Sequence, residues 1–232
     1  MTYIGAELEL FAAATNWKVY FASVLAPFIG ARVLEIGAGI GSNILFLHTS
    51  AVRQWTSVEP DPNLASRITE RIAVGELPET CRVVVGTIES VEETSRFNTV
   101  FYIDVLEHIA DDAAELNCAA GHLAPDGNLV VLAPAHQFLF SEFDAAIGHH
   151  RRYNARSLTA VTPPRCRLRT CFMLDSAGFC ASLANRFMLA AAMPSPRQIA
   201  FWDKLLVPVS RVLDSVTGHK FGKSIVAVWA PL

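Results

Sequence analysis

Gly37, Gly39 and Gly41 follow the apolar run Val33-Leu34-Glu35-Ile36 and precede Ser42-Asn43 and a second apolar run, Ile44-Leu45-Phe46-Leu47. Glycine adopts positive φ freely and lets backbone approach a ligand closely, so a strand, this turn and a helix start predict a nucleotide-like cofactor. The flanking acids narrow the choice. Glu35 stands two residues before the first glycine, where an anion repels a pyrophosphate and suits an ammonium group. Glu59 ends a second predicted strand 18 residues after Gly41, where a carboxylate can accept from both hydroxyls of a ribose. Ser42 occupies the place of the last glycine of a dinucleotide fingerprint. Together these features fit an adenosine ligand with a cationic amino-acid tail and no phosphate, namely S-adenosylmethionine. Taken singly, Glu35 is explained as well by strand-end exposure, and Glu59 by helix capping beside Pro60-Asp61.

The other chemistry-bearing cluster is Asp144, His149, His150, Arg151, Arg152 and Tyr153. A histidine near neutrality can take a proton from an acceptor, with Asp144 fixing the tautomer, so His149 and Asp144 are catalytic candidates. Arg151 or Arg152 could hold a substrate carboxylate, although an ion-paired anchor over Tyr153 explains the arginines better. His136, just past the fifth predicted strand, is expected to line the substrate site, and Phe138, Phe140, Phe143 and Tyr153 imply an aromatic pocket. Asp104-x-x-Glu107-His108 can be read as three metal ligands on one helical turn. An acid favoured by a helix N-terminus accounts for Glu107 equally well, so no metal is assigned and His108 is kept as a substrate residue. Near the N-terminus, Trp17, Lys18 and Tyr20 are candidate lid residues. Trp17 and Phe21, four apart, read better as a buried helix face, while Tyr20 stays a catalytic candidate.

The elements that must position these residues alternate from residue 8 to 133, as a parallel sheet with crossover helices requires. Strands are predicted at 32–36, 56–59, 81–85, 99–103 and 128–133, then 167–173 and 224–229. Helices are predicted within 8–28 and at 42–49, 61–73, 104–108 and 111–122, with Pro125-Asp126-Gly127 turning into the fifth strand. Residues 134–157 form a long polar and aromatic loop, and such loops are usually functional. A helical insert spans 175–220. Its apolar stripe (Trp202, Leu205, Leu206, Val209, Val212, Leu213), with Phe187, Met188, Met193 and Phe201, predicts homo-oligomer contacts first and an acceptor cap second.

The chain has 232 residues, 52% of them hydrophobic and 18% charged, with a net charge of −3. One large domain with an N-terminal helical lid over residues 1–30 is expected. The charge offers no footprint for nucleic acid. The absence of a long uncharged apolar run predicts no membrane span, and no signal peptide is expected from the first residues. Five cysteines in no CxxC pattern predict reduced thiols and a cytoplasmic protein.

Val33-Leu-Glu-Ile-Gly-Ala-Gly-Ile-Gly-Ser-Asn, Val58-Glu59 and Tyr102-Ile-Asp-Val-Leu-Glu-His-Ile resemble the class I S-adenosylmethionine-dependent methyltransferases over about residues 8–135. The resemblance implies a Rossmann-like α/β fold with a seven-stranded, mostly parallel sheet and a helical insert before the last strand. It implies that Glu35 and the backbone of Gly37, Ala38, Gly39 and Gly41, with Asn43, hold the methionine portion. Glu59 and Pro60 would meet the ribose, the turn at Thr87-Ile88 the adenine, and Asp104-Val105 the methionine end. Thr87 departs from the acid often found there, so the adenine contacts fall to its hydroxyl or to Ile88 backbone. The expected reaction is methyl transfer to a small aromatic or heteroaromatic acceptor, with an indole ring carbon as one candidate in natural-product biosynthesis. The alternatives are O- or N-methylation of another metabolite, a nicotinamide-dependent oxidoreductase, and a cofactor-binding protein that docks a partner.

Overall fold

The structure is a computed structural model that describes residues 6–188 and 195–232, with side chains described from 8 to 184 and from 195 onward. Met193 lies outside the described residues, and so do the side chains of Phe187 and Met188.

Seven strands form one sheet: β1 (Arg32–Ile36), β2 (Gln54–Glu59), β3 (Cys81–Val85), β4 (Phe97–Ile103), β5 (Leu123–Pro134), β6 (Cys166–Leu174) and β7 (Ser224–Pro231). Their order is β3-β2-β1-β4-β5-β7-β6. β7 runs antiparallel to both its neighbours and the remaining pairs are parallel. Chain direction across the sheet reverses between β1 and β4, which are adjacent, and ligands bind beyond the carboxyl ends of strands at such a switch point.

The central strands are apolar runs because both sheet faces are covered. Val33, Phe101, Val130 and Val228 face one core with Trp17, Phe21 and Leu25, while Leu34, Val100, Leu129 and Trp229 face the other with Leu116 and Leu158. The helices are α1 (Ala6–Ala12), α2 (Thr15–Leu25), α3 (Ile44–Leu47), α4 (Pro62–Ala73), α5 (Asp112–Gly121), α6 (Glu142–Ala146), α7 (Ala155–Ala160), α8 (Ser176–Met188), α9 (Pro196–Phe201) and α10 (Val207–Thr217). Asp61 starts α4 by accepting from Asn63 N–H at 2.8 Å with Pro62 at the first position, and Asp111 starts α5 by accepting from Ala114 N–H at 3.0 Å. No helix among the described residues is long and apolar enough to cross a membrane.

Four expectations are corrected. The helix expected at 42–49 is the single turn α3, and the segment 104–108 holds a 3-10 turn, Leu106–His108. Pro125-Asp126-Gly127 does not break the chain but lies inside β5, where the pairing slips between Phe97–Leu123 and Thr99–Asn128. Gly127 is needed there because a Cβ would stand 2.9 Å from the Phe97 and Ala124 carbonyls. Residues 134–157 carry α6 and a 3-10 turn, Gln137–Leu139. The insert's apolar stripe is no correction: on α10, Val207, Ser210 and Asp214 are buried while Val209, Val212, Leu213 and Val216 are exposed, so the stripe faces outward.

Candidate active site

At the carboxyl ends of β1, β4 and β5 lies a cavity of about 290 Å³. Gly37–Ile40 and Asn43 form its floor beyond β1, and Asp104, Glu107 and His108 enter beyond β4. Phe143, Asp144, His149 and Arg152 come from the 134–157 segment, Trp17 and Lys18 from α2, and Ile199, Trp202 and Lys223 from the insert and its exit.

In the floor, φ is +67° at Gly37, +57° at Gly39 and +71° at Gly41. A Cβ on Gly37 would stand 2.6 Å from the Val105 side chain, so only glycine closes that turn against β4. Beneath it Glu35 is fully buried, taking one hydrogen bond from Asn43 Nδ2 and one from Trp55 Nε1, both at 3.2 Å. Burial raises its carboxyl to about 7, against the pull of these two bonds. Lys18 Nζ donates to Asn43 Oδ1 at 2.9 Å and completes the relay, with its own pKa lowered by burial. Glu59 accepts from Gly39 N–H at 2.7 Å and from Asp61 N–H at 3.0 Å, so it shapes the turn as well as facing it.

On the acceptor side Asp144 organises the loop. It accepts a two-pronged hydrogen bond from Arg152 at 2.8 and 2.9 Å, two from Ser141 at 2.8 Å, and one from His149 Nδ1 at 2.8 Å. Burial would raise the Asp144 carboxyl, but the His149 and Arg152 bonds outweigh it and hold the group below the usual carboxylate range. With Nδ1 committed to Asp144, His149 turns Nε2 toward Glu107, 3.7 Å from Oε1. Glu107 is fully buried, neither of its oxygens accepts a hydrogen bond, and burial and then the charge of Asp104 push its carboxyl upward. His108 packs edge-on against His149 with ring centroids 4.5 Å apart. Burial, then the neighbouring His149, lowers His108 to about 4. Asp104 sits at φ +52°, and such non-glycine strain is typical of functional sites.

The cavity gathers Gly37, Ala38, Gly39, Asn43, Asp104, His108, Asp144 and His149 from the expected residues. Others stand outside its lining. Tyr20 is buried with its hydroxyl donating to Asp214 at 2.7 Å, which makes it an anchor for the insert and not a catalytic group. Tyr153 is likewise buried, donating to Asp112 at 2.7 Å, and Arg151 pairs with that same carboxylate. His136 donates from Nε2 to the Gly222 carbonyl and packs against Phe138 and Phe179, away from the cavity. Phe140 ends the 3-10 turn outside the lining. Ile88 is core, and Thr87 caps a short 3-10 turn. Pro60 is exposed, Gly41 packs on Ile44, Ile68 and Leu77, and Val105 packs on Gly37. Of the four aromatics expected in the pocket only Phe143 lines it, and Phe11, Trp17 and Trp202 supply the rest. Lys223, half-buried and 4.8 Å from the Trp202 ring centroid, had no signal in the sequence beyond its place before the last strand.

A family of methyltransferase domains matches residues 13–166. The chain belongs to this methyltransferase family. The family excludes the nicotinamide-dependent oxidoreductase reading, and this chain is an enzyme of methyl transfer. No curated protein matches the sequence. The methyltransferase shares its fold with geranyl diphosphate methyltransferase in complex with SAM (TM-score 0.66, 12% identity, 99% of this chain and 91% of that one). It is similar too to coclaurine N-methyltransferase bound to N-methylheliamine and SAH (TM-score 0.63, 14% identity, 91% and 71%). A [4+2]-cyclase has the same fold (TM-score 0.62, 15% identity, 99% and 95%).

Proposed function

We propose that the protein transfers a methyl group from S-adenosylmethionine to a small aromatic or heteroaromatic acceptor. The observation that carries this reading is one cavity with two unlike ends: a left-handed glycine floor over a buried acid, and a polar cluster, Glu107-His108-His149, framed by aromatic rings. The residues fit the cofactor. Gly37 and Gly39 offer close backbone approach, Glu35 is a buried acid and Asp104 an acid lining the cavity, both suited to a cationic tail, and Glu59 keeps a second lone pair on each oxygen for a ribose diol. When bound, the cofactor supplies an electrophilic methyl on a sulfonium. The chain supplies alignment and exclusion of water, the larger part of what a preactivated donor needs. Phe11, Trp17, Phe143 and Trp202 hold the acceptor ring, and His149, oriented by Asp144, acts on the acceptor side. The free thiols of all five cysteines fit a reducing cytoplasm.

Incubation with labelled cofactor and a panel of phenols, amines and indoles tests the reading and separates O-, N- and ring-carbon methylation. Label transfer to a member of the panel is expected. Tight binding of S-adenosylhomocysteine with no small acceptor methylated, and a protein partner retained, would favour a docking role. His149→Ala is expected to lower turnover by at least 100-fold, the lower end of what a positioned proton-transfer group contributes, while cofactor affinity changes less than twofold. Unchanged turnover would make this histidine a loop anchor.

A further inference from the structure

We propose that Glu107, His108 and His149 form a site for one divalent transition-metal cation at the acceptor end of the cavity. Each of the three offers one ligand atom, and these atoms lie within 4.8 Å of one another. The decisive feature is Glu107. It is fully buried, it lines the cavity, and both its oxygens lack a hydrogen-bond donor, where a buried carboxylate would normally recruit several. Opposite it, His149 donates Nδ1–H to Asp144, which leaves the lone pair of Nε2 aimed at Glu107 Oε1 across 3.7 Å. Two acceptors facing each other in a buried site call for a proton or a cation between them, and the His108 ring within the same 4.8 Å cluster favours the cation. The Asp144–His149 pair is the outer carboxylate that orients and strengthens a metal-bound imidazole, and Arg152 and Ser141 fix that carboxylate in turn. His108 is held in turn by a hydrogen bond to the Gly148 backbone.

Two imidazoles and one carboxylate suit zinc and its first-row neighbours, not magnesium or calcium, which prefer an all-oxygen shell. Donor atoms around a four-coordinate zinc stand about 3.3 Å apart at bond lengths near 2.0 Å, so loading closes the 3.7 Å His149–Glu107 pair by about 0.4 Å and no pair by more than about 1.5 Å. Three protein ligands would leave a position open for a further ligand, and Phe11, Trp17, Phe143 and Trp202 line the same cavity. That position takes a hydroxyl or carboxylate oxygen of the acceptor. This role rests on the methyl-transfer reading, whereas the site itself does not, and it makes His149 a ligand instead of a free base.

The full-length chain, stripped with chelator and desalted, is titrated calorimetrically with Zn²⁺, and histidine ring signals are followed by NMR. One equivalent is expected to bind, shifting the signals of His108 and His149 and leaving those of His48, His122 and His219. Glu107→Gln and His149→Ala should each weaken binding by about 100-fold or more. Asp144→Asn should weaken it by the ~10–100-fold typical of an outer partner, and Asp126→Asn, an exposed acid far from the cluster, should leave it unchanged. Absence of stoichiometric binding to the unaltered chain would overturn the site, as would shifts confined to the other histidines. Unweakened binding by folded Glu107→Gln would do the same. The NMR readout needs no variant, so a variant that fails to fold leaves the test intact. An inactive chain that takes up zinc upholds the site and sinks the methyl-transfer reading, and an active chain that takes up none does the reverse.

Discussion

A carboxylate oxygen that has accepted one hydrogen bond still has a lone pair to offer, so Glu59, engaged by Gly39 and Asp61, can serve the turn and a ribose together. Glu59→Gln keeps the shape but loses the charge, and S-adenosylhomocysteine is expected to bind about 1–3 kcal/mol more weakly in calorimetry, the scale of a charge-assisted hydrogen bond. Unchanged affinity would remove Glu59 from the cofactor site. Glu35 makes a different prediction because burial lifts its carboxyl to about 7. A group whose folded pKa exceeds its unfolded value stabilises the chain while protonated, and that stability is lost as pH rises through the folded value. The cofactor-free chain should therefore lose stability between about pH 4.5 and 7, by roughly 3 kcal/mol from this residue. Glu35→Gln should flatten that part of a denaturant-midpoint profile. An identical profile in the variant would show that Glu35 titrates normally. Gly37, Glu35 and Glu59 were legible from spacing along β1 and β2 because each lies within two residues of a strand end. Glu107 was weighed as a metal ligand beside Asp104 and His108 and left as a dipole-favoured acid, since nothing local reveals that His149, 42 positions later, comes to face it.

Among the elements, α10 is held by polar groups and not by its apolar stripe. Asp214 accepts from the Tyr20 hydroxyl at 2.7 Å and from the N–H groups of Asp175 and Ser176 at 2.8 and 3.0 Å, tying α10 to α2 and to the start of α8. Asp203 does the same at the first turn of α2, accepting from Trp17 N–H at 2.8 Å. Through these bonds the insert brings Ile199 and Trp202 over the cavity. Asp214→Ala would leave three buried donors unmatched. A loss of about 3–5 kcal/mol is expected, seen as a fall in Tm of roughly 6–20 °C for a chain of this size. Tyr20→Phe removes one of the three bonds and should cost about 1 kcal/mol without changing turnover, and a large fall in turnover with stability kept would return Tyr20 to the chemistry. The strands were readable because a sheet covered on both faces demands continuous apolar runs. The insert was not. Helical periodicity locates an apolar face but does not say which side it takes, and here Ser210 and Asp214 are inside while Val212 is out.

For the whole molecule, both faces of the sheet are already covered, by α2 and the insert on one side and by α5 and α7 on the other. Apolar residues beyond that need can only lie outside, and six of the thirteen large exposed ones among the described residues fall on one ridge: Phe201, Leu205, Val209, Val212, Leu213 and Val216, each between 39% and 80% exposed. A contiguous apolar ridge of this kind is rare on a chain that works alone, whereas scattered exposed apolar residues are normal. The ridge lies on α9, the π turn after it and α10, the same elements that carry Ile199 and Trp202 into the cavity. A second copy covering it would brace the cap from outside while the Asp214 and Asp203 bonds hold it from within. Sedimentation at tens of micromolar should accordingly give a particle of about twice the 25.3 kDa chain mass. Val212→Glu with Val216→Glu should weaken that association at least tenfold, which corresponds to 1.4 kcal/mol, with the fold kept because neither residue is buried in the monomer. A looser cap should then appear as a raised KM for the acceptor with cofactor affinity unchanged. A monomeric unaltered chain would refute the dimer, and a dimer insensitive to the paired glutamates would move its interface off this ridge.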